Sequence, residues 1–201
     1  MFIRQMLSDS FYTEFKKSHP KTYFVFPEIH QKEIFTFEKL TEQNFECLYL
    51  LFEGDASPFV DERFKTYEGA KEYAKFISLC GASIPKHGCQ DWLFKCDNEY
   101  AGILHLYDMS LETFGQNHKR AWIGFATSAK FRSRHISFQV VRYFIQYIFD
   151  TYPGVDFIHA MTLNENENAA VFLTRCGFIT DTEERLSKEY RFFTNRRVGL
   201  S

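Results

Sequence analysis

Lys130-Phe131-Arg132-Ser133-Arg134-His135 sets two arginines, a serine and a histidine directly ahead of a long apolar-periodic run that begins at Ile136. A turn that opens into a helix start offers unpaired backbone N–H groups and the positive end of the helix dipole. Arg132 and Arg134 add formal charge, so the chemistry on offer is that of a cradle for a phosphate group. The plainer alternative for the same residues is a solvated basic turn. Other site chemistries are not supported. His87, Cys89, Cys96 and His105 lack the close cysteine spacing of structural zinc, so no metal site is expected. There is no Gly-x-x-x-x-Gly-Lys loop and no nucleophile elbow.

The elements that must position this turn follow from periodicity. Val140, Val141, Phe144, Ile145, Ile148 and Phe149 recur at three- and four-residue steps, which predicts a helix from Ile136 to Phe149 with one broad apolar face. Gln139, Arg142, Tyr143, Gln146 and Asp150 fall opposite, and Pro153-Gly154 ends it. A strand precedes the turn at Ala121 to Thr127, and another follows the helix at Phe157 to Leu163. A short helix from Asn166 to Cys176 leads into Gly177-Phe178.

Upstream, Ile34 to Leu40 alternates as a strand, and Thr41 is expected to cap a helix running through Phe45, Leu48, Tyr49 and Phe52 to Gly54. Residues 55 to 65 read as a loop. Thr66 to Leu79 reads as a second helix with Ala70, Tyr73, Ala74 and Ile77 inward. Gly81 to Gly88 is a loop, and Asp91 to Cys96 and Tyr100 to Met109 form a hairpin about Asp97-Asn98-Glu99. Ile179 to Thr182 and Tyr190 to Thr194 close the sheet. Residues 1–33 read as an extension packed on the core, with a short amphipathic helix through Met6, Leu7, Phe11 and Phe15 and a strand at Tyr23 to Phe26. The main domain is 34–201.

In this order and spacing, the stretch from Gly124 to Phe178 resembles the core of the GCN5-related N-acetyltransferases, in their RimJ/RimL-like branch. That branch shows strand, Tyr-Arg-Gly-x-Gly-Ile-Ala, long helix, strand, then Asn-x-x-Ser and a helix ending in Cys-Gly-Phe. Here the first motif is Phe131-Arg132-Ser133-Arg134-His135-Ile136-Ser137. The second is Asn166-Glu167-Asn168-Ala169 with Arg175-Cys176-Gly177-Phe178. Gly102 and Ile103-Leu104-His105-Leu106 resemble the branch's Gly-x-Ile-x-Leu strand. The resemblance covers about residues 34 to 184. The central glycine of the first motif has become His135, which adds a Cβ and a ring where the family's backbone approaches phosphate.

The resemblance implies an α/β fold of the acyl-CoA N-acyltransferase type: a mixed central sheet with one splayed parallel strand pair and helices on both faces. It implies acetyl-CoA as co-substrate and a primary amine as acceptor, either a protein N-terminus or a small molecule. Carried over residue by residue, Arg132, Ser133, Arg134, His135, Ile136 and Ser137 would line the pyrophosphate. Phe125, Ala126 and Thr127 would face the pantetheine, with Asn166 and Phe172 beside it. The Ala126 N–H is the expected donor to the thioester oxygen.

An amine with a pKa of about 8 to 10.4 must shed a proton to attack. The branch's usual glutamate and serine are Trp122 and Ala169 here, and the tyrosine used in other branches is Leu173. His105, Asp108 and Glu112 are the remaining candidates for proton transfer, with His159 and Tyr107 behind them. Each has a structural alternative in packing or in a solvated loop. The second reading is therefore a domain that keeps the fold, has lost the chemistry and binds acyl-CoA or a protein partner.

Length and composition agree with a single soluble domain. The 201 residues carry 24 basic and 26 acidic side chains, a formal net charge of -2, so no sequence-wide field draws nucleic acid or an anionic membrane. Five irregularly spaced cysteines suit reduced thiols and a cytoplasmic location. No apolar run approaches the roughly 20 residues that span a bilayer. The N-terminal extension has a second use open to it, as an arm that shapes the acceptor site or a homodimer contact. With 24 phenylalanines, the core should be aromatic.

Overall fold

The computed structural model describes residues 29–32, 35–83, 90–107, 120–132, 136–180 and 189–197. Among these residues eight strands form one sheet: β1 (Ile29–Lys32), β2 (Phe35–Lys39), β3 (Gln90–Cys96), β4 (Glu99–Tyr107), β5 (Arg120–Thr127), β6 (Phe157–Leu163), β7 (Ile179–Thr180) and β8 (Tyr190–Arg196). Their order is β1-β2-β3-β4-β5-β6-β8-β7, and each neighbouring pair is antiparallel except β5 with β6. The sheet thus begins at β1, inside the first 33 residues. The expected N-terminal helix and the strand at Tyr23 to Phe26 lie outside the described residues.

Helices α3 (Ile136–Thr151) and α4 (Glu167–Arg175) pack on one face, and α1 (Phe45–Phe52) and α2 (Tyr67–Ser83) on the other. The six periodic residues of α3 are all buried, against Trp92, Leu104, Leu106, Ala121 and Ile123 of the sheet. The second face buries Leu40, Phe45, Leu48, Phe52, Phe64 and the predicted inner residues of α2 around Leu93 and Ile103. Phenylalanine fills much of both cores, from Phe35 to Phe193. Arg197 closes the far end of α3 by donating to the carbonyls of Phe149 (2.6 Å), Tyr152 (2.8 Å) and Val155 (2.9 Å). Among the described residues no helix is long and apolar enough to cross a membrane.

Three local expectations change. Thr41 does not cap α1: Asn44 turns back, accepts the Thr41 N–H at 2.8 Å and donates to Lys39 O at 2.9 Å. Those bonds hold residues 41–44 as a turn, and the helix starts at Phe45. Residues 55–65 are not all loop, because Asp61 accepts the Arg63 N–H at 3.0 Å and caps a 3-10 turn, Glu62–Lys65. Helix α2 continues past Leu79 to Ser83, so the first residues of the expected 81–88 loop are helical. The hairpin turn is the two-residue Asp97-Asn98, with φ of 52° and 66°, flanked by the pair Cys96 and Glu99. Two left-handed residues match the twist of the strands they join.

Candidate active site

Strands β5 and β6 share only three registered pairs: Arg120 with Phe157, Ala121 with Ile158, and Trp122 with His159. Beyond Trp122 the two diverge, although each continues on its other side. β5 stays paired with β4 as far as Thr127, and β6 with β8 as far as Leu163. The result is a fork in the sheet whose inner edges, Ile123 to Thr127 and Ala160 to Leu163, carry backbone donors and acceptors. Such an edge suits a ligand that offers amides in extended form.

Parity decides which β5 groups face the fork. Ser128 N–H donates to Ala101 O at 2.9 Å, and a Cβ on Gly102 would lie 2.3 Å from the Ala126 carbonyl oxygen. The backbone of the even-numbered residues is therefore turned to β4, and alternation turns that of Ile123, Phe125 and Thr127 to the fork. The donor expected at Ala126 N–H is on the wrong side; its neighbours Phe125 and Thr127 turn their N–H groups to the right one. On the α4 side of the sheet the Phe125 and Phe172 rings meet at 4.8 Å, so these two expected neighbours do come together across the fork.

At the open end, Thr127 Oγ1 and Ser137 Oγ lie 2.8 Å apart and tie the strand to the first turn of α3. A 3-10 turn, Ala129–Phe131, leads to Arg132. Ser133, Arg134 and His135, the centre of the expected cradle, lie outside the described residues, as do Asp108 and Glu112. Arg132 is already engaged. Its Nε donates to Thr127 O at 2.9 Å, and its terminal nitrogens grip both oxygens of Asp55, one of them at 3.1 Å. That leaves one hydrogen on each terminal nitrogen for any other acceptor.

Asp55 is nearly buried, its side chain 3% exposed. Burial works against its charge, but the Arg132 hydrogen bonds, the Ser57 N–H and the charges of Arg132 and Lys65 outweigh that and hold the carboxyl below its ordinary range. Arg132 is thus a strut from the end of α1 to the turn before α3. Nothing in the spacing of residues 77 apart announces that partner.

Asn166 stands where β6 passes into α4. Its Oδ1 accepts the Ala169 N–H at 3.1 Å, the bond of a helix cap, which leaves the Nδ2 amide as the part of the side chain that capping does not use. Ala169 contributes only backbone there, and Leu173 is buried core.

The α1/α2 face of the fork holds the ionisable groups. His105 on β4 is paired with Gly124 of β5 and Asp91 of β3. Its Nδ1 is 2.9 Å from Asp91 Oδ2, and Tyr73 OH lies 2.5 Å from the same oxygen and 3.2 Å from Nδ1. All three side chains are buried. Sequence reasoning singled out the histidine and missed both partners; a carboxylate directly ahead of the apolar run Trp92-Leu93-Phe94 was the available signal. At the floor of the fork Trp122 lies against His159 (5.1 Å), Phe192 (6.0 Å) and Tyr107 (6.4 Å), and His159 Nδ1 is 3.0 Å from Thr194 Oγ1.

A mixed sheet that forks at its one parallel pair, with a helix opening behind the fork, defines the acyl-CoA N-acyltransferase class of fold. The model of the acetyltransferase (GNAT) family matches residues 9–178, and the chain belongs to that family. No curated protein matches the sequence. Among solved structures, RimL, the ribosomal L7/L12 alpha-N-protein acetyltransferase in complex with coenzyme A, superposes with a TM-score of 0.67 at 15% identity, over 84% of this chain and 98% of that one. The microcin C7 self-immunity acetyltransferase MccE, in complex with acetyl-CoA and AMP, gives 0.66 at 14%, over 83% and 94%. A ribosomal-protein-S5-alanine acetyltransferase from Vibrio fischeri gives 0.63 at 14%, over 86% and 98%. At these identities the likeness is one of fold.

Proposed function

We propose that the protein is an acetyl-CoA-dependent N-acetyltransferase of the RimJ/RimL-like branch, with a primary amine as acceptor: a protein N-terminus or a small-molecule amine. The observation that carries this is the fork, which begins after three β5–β6 pairs and runs out to Thr127, tied at Ser137 to the first turn of α3. The pantetheine arm would lie along the fork-facing backbone of Phe125 and Thr127, with Ala126 beside them, and would meet Asn166 and Phe172 on the opposite wall. The pyrophosphate would rest at Ser133, Arg134, His135, Ile136 and Ser137, with Arg132 holding the turn in place.

A fork-facing N–H, of Phe125 or Thr127, would donate to the oxygen that gains charge as the amine attacks the thioester carbonyl. The C–N bond forms, the C–S bond breaks and the thiolate leaves. Calorimetric titration with acetyl-CoA, repeated on Arg134→Glu, tests the reading, followed by coenzyme A release with a panel of peptides and amines. Micromolar binding lost in the variant, with turnover of at least one amine, supports it. No heat and no thermal shift would end it. A second reading has its own observation: Trp122, Ala169 and Leu173 occupy the usual proton-transfer positions and carry no proton to transfer. It expects binding in the titration and no turnover with any amine.

A further inference from the structure

We propose that His105, oriented by Asp91 and Tyr73, is the group that takes the proton from the acceptor amine, through a water lying over Gly124. This rests on the acetyltransferase reading and supplies the base which that reading lacks.

Three buried polar side chains in an otherwise apolar core are costly unless their hydrogen bonds are met. Here they are met mutually. Asp91 Oδ2 accepts the Tyr73 hydroxyl and lies 2.9 Å from His105 Nδ1. A carboxylate at Nδ1 fixes the neutral ring with its proton on that nitrogen and its lone pair on Nε2. The ring plane is held by Phe64, stacked at 6.1 Å with 24° between planes, and by Tyr73 edge-on at 6.3 Å.

The opposite edge of the ring faces β5. A Cβ built on Gly124 would lie 3.1 Å from His105 Cδ2, the carbon bonded to Nε2. Gly124 has an ordinary backbone, so its value here is space. It puts no side chain from β5, the strand that forms the inner edge of the fork, against the imidazole edge, one strand spacing of about 4.8 Å from β4. It sits two residues past the last paired rung, Trp122 with His159.

Among the described residues the ionisable groups facing this ring are few. Asp91 comes from β3, Tyr73 from α2 and Tyr107 from β4 itself. Behind Tyr73 the Arg63 guanidinium sits 4.8 Å over the phenol ring, and Asp61 pairs with it at 2.6 Å. β5 contributes Gly124 and Trp122, neither of which titrates.

In the step proposed, the amine nitrogen bonds to the carbonyl carbon and gives its proton through the water to Nε2. The thiolate departs with the electrons of the C–S bond. The imidazolium then returns the proton to that thiolate, so coenzyme A leaves as the thiol and the base is restored.

The experiment uses the full-length protein and the amine that the wild type turns over best. His105→Gln is expected to bind acetyl-CoA as the wild type does, to lose about 10²- to 10³-fold in kcat, and to lose the acidic limb of the kcat/KM profile. Gly124→Ala keeps all three side chains but sets a methyl 3.1 Å from His105 Cδ2, which crowds and covers the ring edge, and should cost at least about tenfold with binding retained. Imidazole nitrogen spectra of the wild type should show the Nδ1–H tautomer. A His105→Gln variant within about threefold of the wild type, with the same acidic limb, overturns the inference and leaves the acetyltransferase reading standing. A ring protonated at Nε2 overturns it as well, without any variant having to fold. Wild-type protein that binds acetyl-CoA and acetylates no amine instead brings down the acetyltransferase reading itself.

Discussion

Asp55→Asn isolates the strut between the two halves of the site. The change keeps the shape of the side chain and removes the charge that faces Arg132 across a contact 77 residues apart in sequence. Breaking a buried pair by removing one partner costs about 3–5 kcal/mol. Asp55 meets that description, but the Arg132 side chain is 36% exposed and water can take over part of its hydrogen bonding. The expected loss is therefore about 2 kcal/mol, or a fall of about 4–8 °C in the thermal midpoint for a chain of this length.

The sign with pH follows from the carboxyl being held below its ordinary range in the fold. The stabilisation is fully present above the unfolded pKa of about 3.9, and is lost as pH falls through the lower folded value. The gap between wild type and variant should thus be constant near neutrality and close on acidification. Thermal unfolding of Asp55→Asn, Arg132→Gln and the double variant gives the coupling directly, expected at about 1–2 kcal/mol. A coupling under about 0.3 kcal/mol, or a gap that widens below pH 4, would refute the reasoning.

Three further outcomes are expected. Gly102→Ala forces a methyl to 2.3 Å from the Ala126 carbonyl and 2.6 Å from the Phe94 ring, so it should cost about 3 kcal/mol by chemical denaturation; a loss under about 1 kcal/mol would mean β4 and β5 can part freely. Asn166→Ala removes the α4 cap and should cost about 1 kcal/mol, while Asn166→Asp, which keeps the acceptor, should hold stability. Burial pushes the Cys176 thiol up to about 12, with Arg142 opposing weakly, so at pH 8 it should resist alkylation until the protein is unfolded; rapid labelling of Cys176 in the native protein would contradict its placement.

The helix α3, the strand β6 and the stretch from Asn166 to Cys176 were legible before any coordinates, and for one reason. Each is a run whose apolar spacing or terminal residue fixes its own conformation and buried face. The six residues of α3 spaced at three and four are the six that are buried, and β6 begins and ends at the expected Phe157 and Leu163. Where the local signal was a single capping residue, as at Thr41, a competing bond from Asn44 was enough to move the helix start.

The sequence by itself thus determined most of the elements, their order and the family resemblance, because these depend on residues a few positions apart; β1 and the 3-10 turn Glu62–Lys65 were not among them. Only the tertiary structure decided how far β5 and β6 stay together, which face of β5 offers its N–H groups, and what Arg132 and His105 touch. Those depend on strand register and on partners brought together from 77 residues away for Arg132 and 32 for His105 with Tyr73. Spacing carries no record of either. A shift of one residue in register would turn Phe125 N–H away from the fork and His105 away from Asp91.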